Sequence, residues 1–511
     1  MLRFVPVLLV LALVWGCDSA GPEPGPSAGL VTSLIVTPNP SGAAPLSALA
    51  SLMTTEPVTV EVTVEGRGGP ATEMRHRTTV AATSQTIPLL GLYPGSETSV
   101  RLDLLAPDGR VLETRQLAVA APPLASDFPE ITVDVPPGSG VRPGVTVVSY
   151  FGHDGSTTPQ RVFAYDAAGA IRYVLDFTGH PDLGSLFFDD GVSRLANGHW
   201  LVPDRSSNRV YEVDLLGRVV RSWPFQGVRF HHEVLELPSG NLLATVDREG
   251  ASTVEDVLVE LDRGSGAVVT EWDLTRSLDA SRRSWPTPLA DLDVDWFHAN
   301  GVAHDPVDDA IVVSGRTQGV VKLTRTNQVR WILAPHRGWR QAGDGTDLSS
   351  KLLQPLDATG TPITDPAVLE GTARHPDFEW AWYQHAPEVL SGGRLLLFDN
   401  GDNRGYGSGG TYSRAVLFAI DEQAMTIRQL WAYGRDRGTE TYSRIVSDVD
   451  LHEPEGVVVF APGAVGGPVG KVVEVSMATG AVLAEVTIRP PQAPFGITFH
   501  RVERLPLYPA P

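Results

Sequence analysis

The chain has 511 residues, a formal net charge of -20, 51 Gly, 41 Pro and a single cysteine. That charge argues against nucleic acid as a partner, and one cysteine excludes an intramolecular disulfide or a thiolate metal cluster. The length is too great for one ordinary core, so two domains or a repeat architecture are expected.

The N-terminus reads Met1-Leu2-Arg3, then an apolar run from Phe4 to Trp15 interrupted only by Pro6, then Gly16-Cys17. A basic start, a short apolar stretch and a small residue mark an export signal. The run is too short to cross a bilayer as a helix. Gly16-Cys17 after Leu13-Val14-Trp15 resembles a bacterial lipobox, in which Cys17 would be lipidated and become the mature N-terminus. Trp15 is off that pattern, so ordinary secretion is the alternative. Residues 1–17 are therefore read as signal and lipobox, and the working protein is expected outside the cytoplasm, in the periplasm or cell envelope. Residues 18–29, rich in Pro, Gly and Ser, read as a flexible linker.

From 30 to 135 the sequence alternates in strand fashion, as in Val58-Thr-Val-Glu-Val-Thr-Val64, with turn signals such as Pro107-Asp108-Gly109. This predicts a small β-sandwich. Residues 140–505 repeat. A closing strand pair recurs six times, at 161–175, 209–223, 257–272, 319–333, 414–431 and 470–486. An opening pair is visible at 192–204, 234–247, 302–315, 389–400 and 450–462. Four short strands per unit, six times over, predict an all-β chain with a six-bladed β-propeller behind the sandwich. The stretch from His336 to Tyr383 is a long insertion, which on a compact repeat is usually functional.

The repeat allows positions to be compared within the chain. Glycines Gly198, Gly240 and Gly393 mark hairpin turns, and eight residues before them stand Asp190, His232 and His385. In the fourth unit His298 falls one or two places further upstream. Three histidines at one repeat position would converge on one mouth of the propeller channel. Asn300 and Arg316 lie close to His298 in sequence. An arginine beside histidines suits an anion with trigonal oxygens, sulfate or phosphate. Trp296, Phe297, Trp382 and Tyr383 could form an apolar slot or belong to the blade core. The histidines also suit Zn²⁺, but Glu233 is the only acid directly adjacent, and no metal or other cofactor is expected.

At these residues the chain resembles the bacterial PAPS-independent aryl-sulfate sulfotransferases. The resemblance includes 230–242 (FHHEVLELPSGNL), 297–305 (FHANGVAHD), 314–322 (SGRTQGVVK), 384–390 (QHAPEVL) and 397–405 (LFDNGDNRG), and extends over nearly the whole mature chain. It implies a β-domain followed by a six-bladed propeller. It also implies transfer of a sulfuryl group from a phenolic sulfate ester to a phenol through a sulfated histidine. Carried over by motif, His385 would be the nucleophile, while His232, His298, Asn300 and Arg316 would hold the sulfuryl oxygens. His231 is the weaker member of the HH pair. A polar residue from the last blade would be Ser447, with Val446 at the neighbouring position. Some members have a disulfide near the site, which this chain cannot form.

The expected partners are thus an aryl sulfate donor and a phenol acceptor, with membrane attachment through a lipid anchor and a homodimer left open. Two alternatives remain at this stage. One is an arylsulfatase-like hydrolase on the same site; the other is a non-catalytic propeller that binds an anion or a partner protein.

Overall fold

The computed structural model describes residues 29–150, 160–186, 191–404, 411–467, 469–489 and 499–509. The leader, Cys17, nearly all of the linker, and Asp190 lie outside the described residues. No helix among the described residues is long and apolar enough to cross a membrane. Nearly every element is a strand, as the turn-rich composition requires.

The N-terminal domain is organised by one long strand, Ser47–Val64. Its first half pairs with Val31–Pro38 and Ala82–Leu90, and its second half with Met74–Arg77 and Glu97–Leu105. The register shifts between Met53 and Val58, where Pro57 cannot donate to the ladder. The strand thereby passes from one layer to the other. Val58, Val60, Val62 and Val64 alternate with polar residues and are fully buried, which is how a period of two builds a sandwich core.

Among the described residues six sheets follow, each with four antiparallel strands; two carry a fifth, and one of these, Gln354–Leu356, joins in parallel. The sheet that begins with Val145–Tyr150 is completed by Phe499–Leu505 from the far end of the chain, so the ring closes on itself. The strand Glu130–Val135 pairs with Val482–Arg489 of the last sheet and with no sandwich strand. The boundary expected at 135 is corrected accordingly: the sandwich strands end at Ala120. Alternation alone predicts a strand but cannot name its partner.

The two domains share one apolar core. At their junction the fully buried Arg172 donates to Asp166 Oδ2 (2.8 Å), Tyr93 Oη (2.9 Å), Gly91 O (2.8 Å) and Thr72 O (2.8 Å). Its guanidinium also stacks 3.8 Å above the Tyr93 ring. Tyr508, near the C-terminus, accepts a hydrogen bond from Leu90 N (2.7 Å). The propeller's two ends are therefore tied to the sandwich as well as to each other.

The lead strands of five successive sheets pack on one another. They are Val228–Glu236, Ala299–Asp305, His385–Leu390, Asp448–His452 and Phe499–Leu505. The beginnings of these strands carry the candidate chemistry.

Candidate active site

Four of the lead strands break register where a histidine or its neighbour stands. The shifts fall between Phe230 and Val234, Ala299 and Gly301, His385 and Glu388, and Phe499 and Val502. Positive φ accompanies them at His232 (53°), Glu255 (56°), His298 (58°), Tyr383 (56°), Ala386 (48°), Val446 (51°) and Ser447 (91°). A bulge re-aims a side chain that regular pleating would send elsewhere. Non-glycine residues persist in this region only where their surroundings hold them, and they gather at functional sites.

The bulges bring the histidines together. The His232 and His298 rings lie 4.8 Å apart, centroid to centroid, and their Nε2 atoms are 3.2 Å apart. Glu255 Oε2 sits 3.1 Å from His232 Nε2 and 2.6 Å from His298 Nδ1. Asp295 Oδ2 lies 2.7 Å from the same His298 Nδ1. The set is satisfied when His298 donates from Nδ1 to the two carboxylates and His232 donates from Nε2 toward Glu255 and His298. Burial pushes the Glu255 carboxyl up, but the charges and hydrogen bonds of His298 and His232 outweigh it. They hold Glu255 well below its ordinary value.

His385 is held differently. Its Nδ1 lies 2.7 Å from Asn400 Oδ1 and 3.1 Å from Tyr383 O. Asn400 has no freedom to turn, because its Nδ2 donates to Ser443 O (2.9 Å) and Val446 O (3.0 Å). The asparagine oxygen therefore faces His385, the ring proton belongs on Nδ1, and Nε2 keeps its lone pair. Nε2 makes no hydrogen bond within the described protein, and the ring lines a cavity with His232, Asn300, Ser447 and His500. Burial holds the His385 imidazole well below its ordinary value. The Asn400 hydrogen bond opposes that, and the charges of Arg316, His232 and His298 add to it. The ring is neutral at pH 7.

The strand that carries His385 is fixed from behind. Asp399 Oδ1 accepts from Trp382 N (2.8 Å) and Gly401 N (3.1 Å). Its Oδ2 accepts from Arg414 Nε (2.7 Å). Arg414 also holds Glu379 O (2.8 Å) and Trp380 O (3.2 Å). This buried network is the structural content of the Phe398-Asp399-Asn400-Gly401 run: the aspartate sets the backbone before His385 and the asparagine sets its tautomer.

Asn300 donates from Nδ2 to Gln384 O (2.9 Å), so its Oδ1 faces the other way, buried and without a partner among the described residues. That oxygen can accept a hydrogen bond but cannot donate one. Arg316 lies 3.7 Å from Asp295 Oδ2 and donates to Leu289 O (3.0 Å). It borders a cleft whose walls include Trp285, Trp382 and Tyr383. Trp285 and Trp382 meet edge to face at 4.8 Å. Trp296 and Phe297, by contrast, are buried in the core between the third and fourth sheets.

Ser447 lines the cavity, but its hydroxyl donates to Ser443 Oγ (2.9 Å) and accepts from Gly463 N (2.9 Å). Val446 contributes its carbonyl to Asn400. His231 is fully buried behind His232, edge to face at 5.3 Å, away from the cavity lining. Burial lowers its imidazole to about 3.

Four contributors were not visible in the sequence: Glu255, Asp295, Asn400 and His500. Two sets, His231/His232/Glu255 and Glu255/Asp295/His298, bring ligand-type atoms within 4.8 Å of one another, close enough to hold a divalent ion. Glu255 belongs to both sets, and its hydrogen bonds to His232 and His298 account for the spacing without one.

The family described as arylsulfotransferase (ASST) matches residues 139–495, and the arylsulfotransferase Ig-like domain matches 35–121. The arylsulfate sulfotransferase AssT of Escherichia coli O6:H1 (strain CFT073) is 30% identical, over 93% of this chain and 92% of its own. The arylsulfate sulfotransferase AssT of Lelliottia amnigena is 27% identical, over 94% of each chain. Among solved structures, virginiamycin B lyase from Staphylococcus aureus is similar over 78% of this chain and 95% of its own, at 11% identity and a TM-score of 0.31.

Proposed function

The chain belongs to the arylsulfotransferase family, and from that premise we propose that it moves a sulfuryl group between phenols through a sulfohistidine at His385, without PAPS. The observation that carries this reading is the asymmetry among the histidines. His232 and His298 are tied to carboxylates and to each other. His385, by contrast, is a cavity-lining ring held neutral by burial, with Nδ1 engaged by Asn400 and Nε2 free of any hydrogen bond within the described protein. That is the state of an imidazole nucleophile.

In the first half-reaction Nε2 attacks sulfur. The N–S bond forms, the S–O bond to the aryl group breaks, and its electron pair stays on the phenolate oxygen. A phenol pKa near 10 makes that a competent leaving group, and a proton from the His232–His298 pair completes it. The sulfated ring gains imidazolium character, which Asn400 Oδ1 and Tyr383 O stabilise at Nδ1–H. In the second half-reaction the acceptor phenol gives its proton to the same pair and attacks sulfur, and the N–S electrons return to Nε2. Arg316 meets the sulfuryl charge, and the Trp285, Trp382 and Tyr383 cleft beside it suits an aryl ring.

The same reading places the mature protein outside the cytoplasm, tethered through Cys17; the support is the N-terminal sequence. The test of the reaction is to mix enzyme with 4-nitrophenyl sulfate alone. A burst of one nitrophenol per enzyme, with one sulfuryl unit on the peptide containing His385, is expected. Added phenol should then give ping-pong kinetics, and His385→Ala should abolish both burst and turnover. Continued nitrophenol release with inorganic sulfate as the product, unchanged by phenol, would favour a hydrolase. Single-displacement kinetics with no labelled histidine would refute the covalent route.

A further inference from the structure

A fourth histidine stands at the same mouth. His500 is the second residue of the lead strand Phe499–Leu505, the C-terminal strand that closes the ring. Its ring centroid is 5.8 Å from that of His232 and 6.2 Å from that of His385. It lines the same cavity as both. Its Nε2 is buried and bonded to no other atom of the described protein.

A structural histidine spends its ring nitrogens on fixed partners, because a buried polar atom left alone destabilises the fold. Here the unpartnered nitrogen belongs to a ring that lines the cavity where a sulfuryl group would sit. The His232 and His385 rings both stand within ordinary ring-contact range of His500, yet no hydrogen bond joins its Nε2 to either of them among the described residues. Burial, together with the charges of His232, His385 and Arg501, holds the ring below its ordinary value. The neutral tautomer protonated at Nε2 donates as required. The neighbouring Arg501 does not take this role, since its guanidinium is engaged by Glu233 and lies 3.6 Å from Asp448 Oδ1.

We infer that His500 is a further catalytic residue, whose Nε2–H donates to an oxygen of the sulfuryl group as it moves to and from His385. The inference rests on the sulfohistidine reading above.

The test uses the full-length enzyme and three variants. His500→Ala and His500→Phe remove the donor, the second while keeping a ring; His500→Gln keeps an N–H near the Nε2 position. The readouts are the burst rate with 4-nitrophenyl sulfate alone and the affinity for inorganic sulfate by calorimetry, with thermal unfolding recorded for each variant. Loss of one oxyanion donor should slow the burst about 10²-fold at unchanged amplitude. Sulfate binding should weaken by about tenfold or more, and Gln should recover a large part of both. A wild-type burst left within twofold in both Ala and Phe, with sulfate affinity unchanged, overturns the inference and leaves the sulfohistidine reading standing. Losses that follow thermal stability and are not recovered by Gln also overturn it, because they show a structural role. If the wild type gives no burst while the Ala and Phe variants still lose sulfate affinity, the covalent reading fails and the donor role of His500 survives.

Discussion

Replacing Asn400 with leucine removes the clamp on His385 while keeping nearly the same volume. Three buried bonds are lost: His385 Nδ1 to Oδ1 at 2.7 Å, and Nδ2 to Ser443 O and Val446 O at 2.9 and 3.0 Å. Ser443 O retains Ser413 Oγ at 3.2 Å, so Val446 O bears most of the unmet demand, and stability should fall by about 2–4 kcal/mol. The kinetic cost has a different origin. The Asn400 bond strengthens as the ring acquires positive charge, because bonds to charged groups are worth roughly 1–2 kcal/mol more than neutral ones. Tyr383 O, 3.1 Å from the same proton, limits the loss. The burst with 4-nitrophenyl sulfate should therefore slow by about 10- to 100-fold, at roughly 1.4 kcal/mol per decade, with its amplitude intact. Asn400→Asp separates the two effects. A carboxylate accepts from Nδ1–H at least as well, so the burst should exceed that of the leucine variant. It also faces two carbonyls with no proton to offer, so stability should still fall. A folded Asn400→Leu enzyme with a burst rate within twofold of wild type would refute the argument that this residue sets the state of the nucleophile.

Arg172→Met should leave Asp166 as an uncompensated buried charge and cost about 3–5 kcal/mol in urea unfolding; a midpoint unchanged at constant slope would contradict the role given to this junction. His231 titrates at about 3 in the fold against 6.5 unfolded, so the unfolded chain binds its proton first. Its contribution is full above pH 6.5 and is lost as pH falls toward the folded value, at up to ~1.4 kcal/mol per pH unit. His231→Phe should therefore flatten the stability profile between pH 4 and 6, and an equally steep profile would show that other groups govern it. Cys17→Ser should convert a membrane-associated protein into a soluble exported one of equal specific activity; unchanged fractionation would rule out the anchor.

The sheets were legible in the sequence because the hairpins repeat the same alternation around short turns, several of them at a glycine, and glycines such as Gly198 and Gly240 do adopt positive φ. The sequence therefore located the starts of the lead strands and singled out His232, His298 and His385. The carboxylates behind them escaped for a physical reason. Glu255 lies in the loop before the strand Val257–Leu261, and Asp295 belongs to the segment leading into His298. Neither occupies a repeat position, so only the folded loops bring them to the rings. His500 escaped for another reason. The glycine rule reads a lead strand and the hairpin that follows it, but Phe499–Leu505 pairs across the ring with Val145–Tyr150, and no hairpin follows it.

The same geometry explains why the chemistry sits where the ladder fails. A regular lead strand would spend its backbone groups on its neighbour and send alternate side chains into the sheet's two faces. At Phe230–Val234, Ala299–Gly301 and His385–Glu388 the register slips, and nearby non-glycine residues accept positive φ. Each such residue costs of order 1–3 kcal/mol, and the bonds made by the redirected side chains offset part of that. At His385 the offset comes from Asn400 and from the Asp399–Arg414 network beneath it. At His298 it comes from Glu255 and Asp295. Around Ser447 it comes from Ser443 and Gly463, which leaves that hydroxyl occupied with holding its own loop. Positive φ alone therefore does not mark a reacting group. What separates His385 from Ser447 is what the local bonds leave over: a ring nitrogen with no hydrogen bond within the described protein at one position, and a hydroxyl that already both donates and accepts at the other.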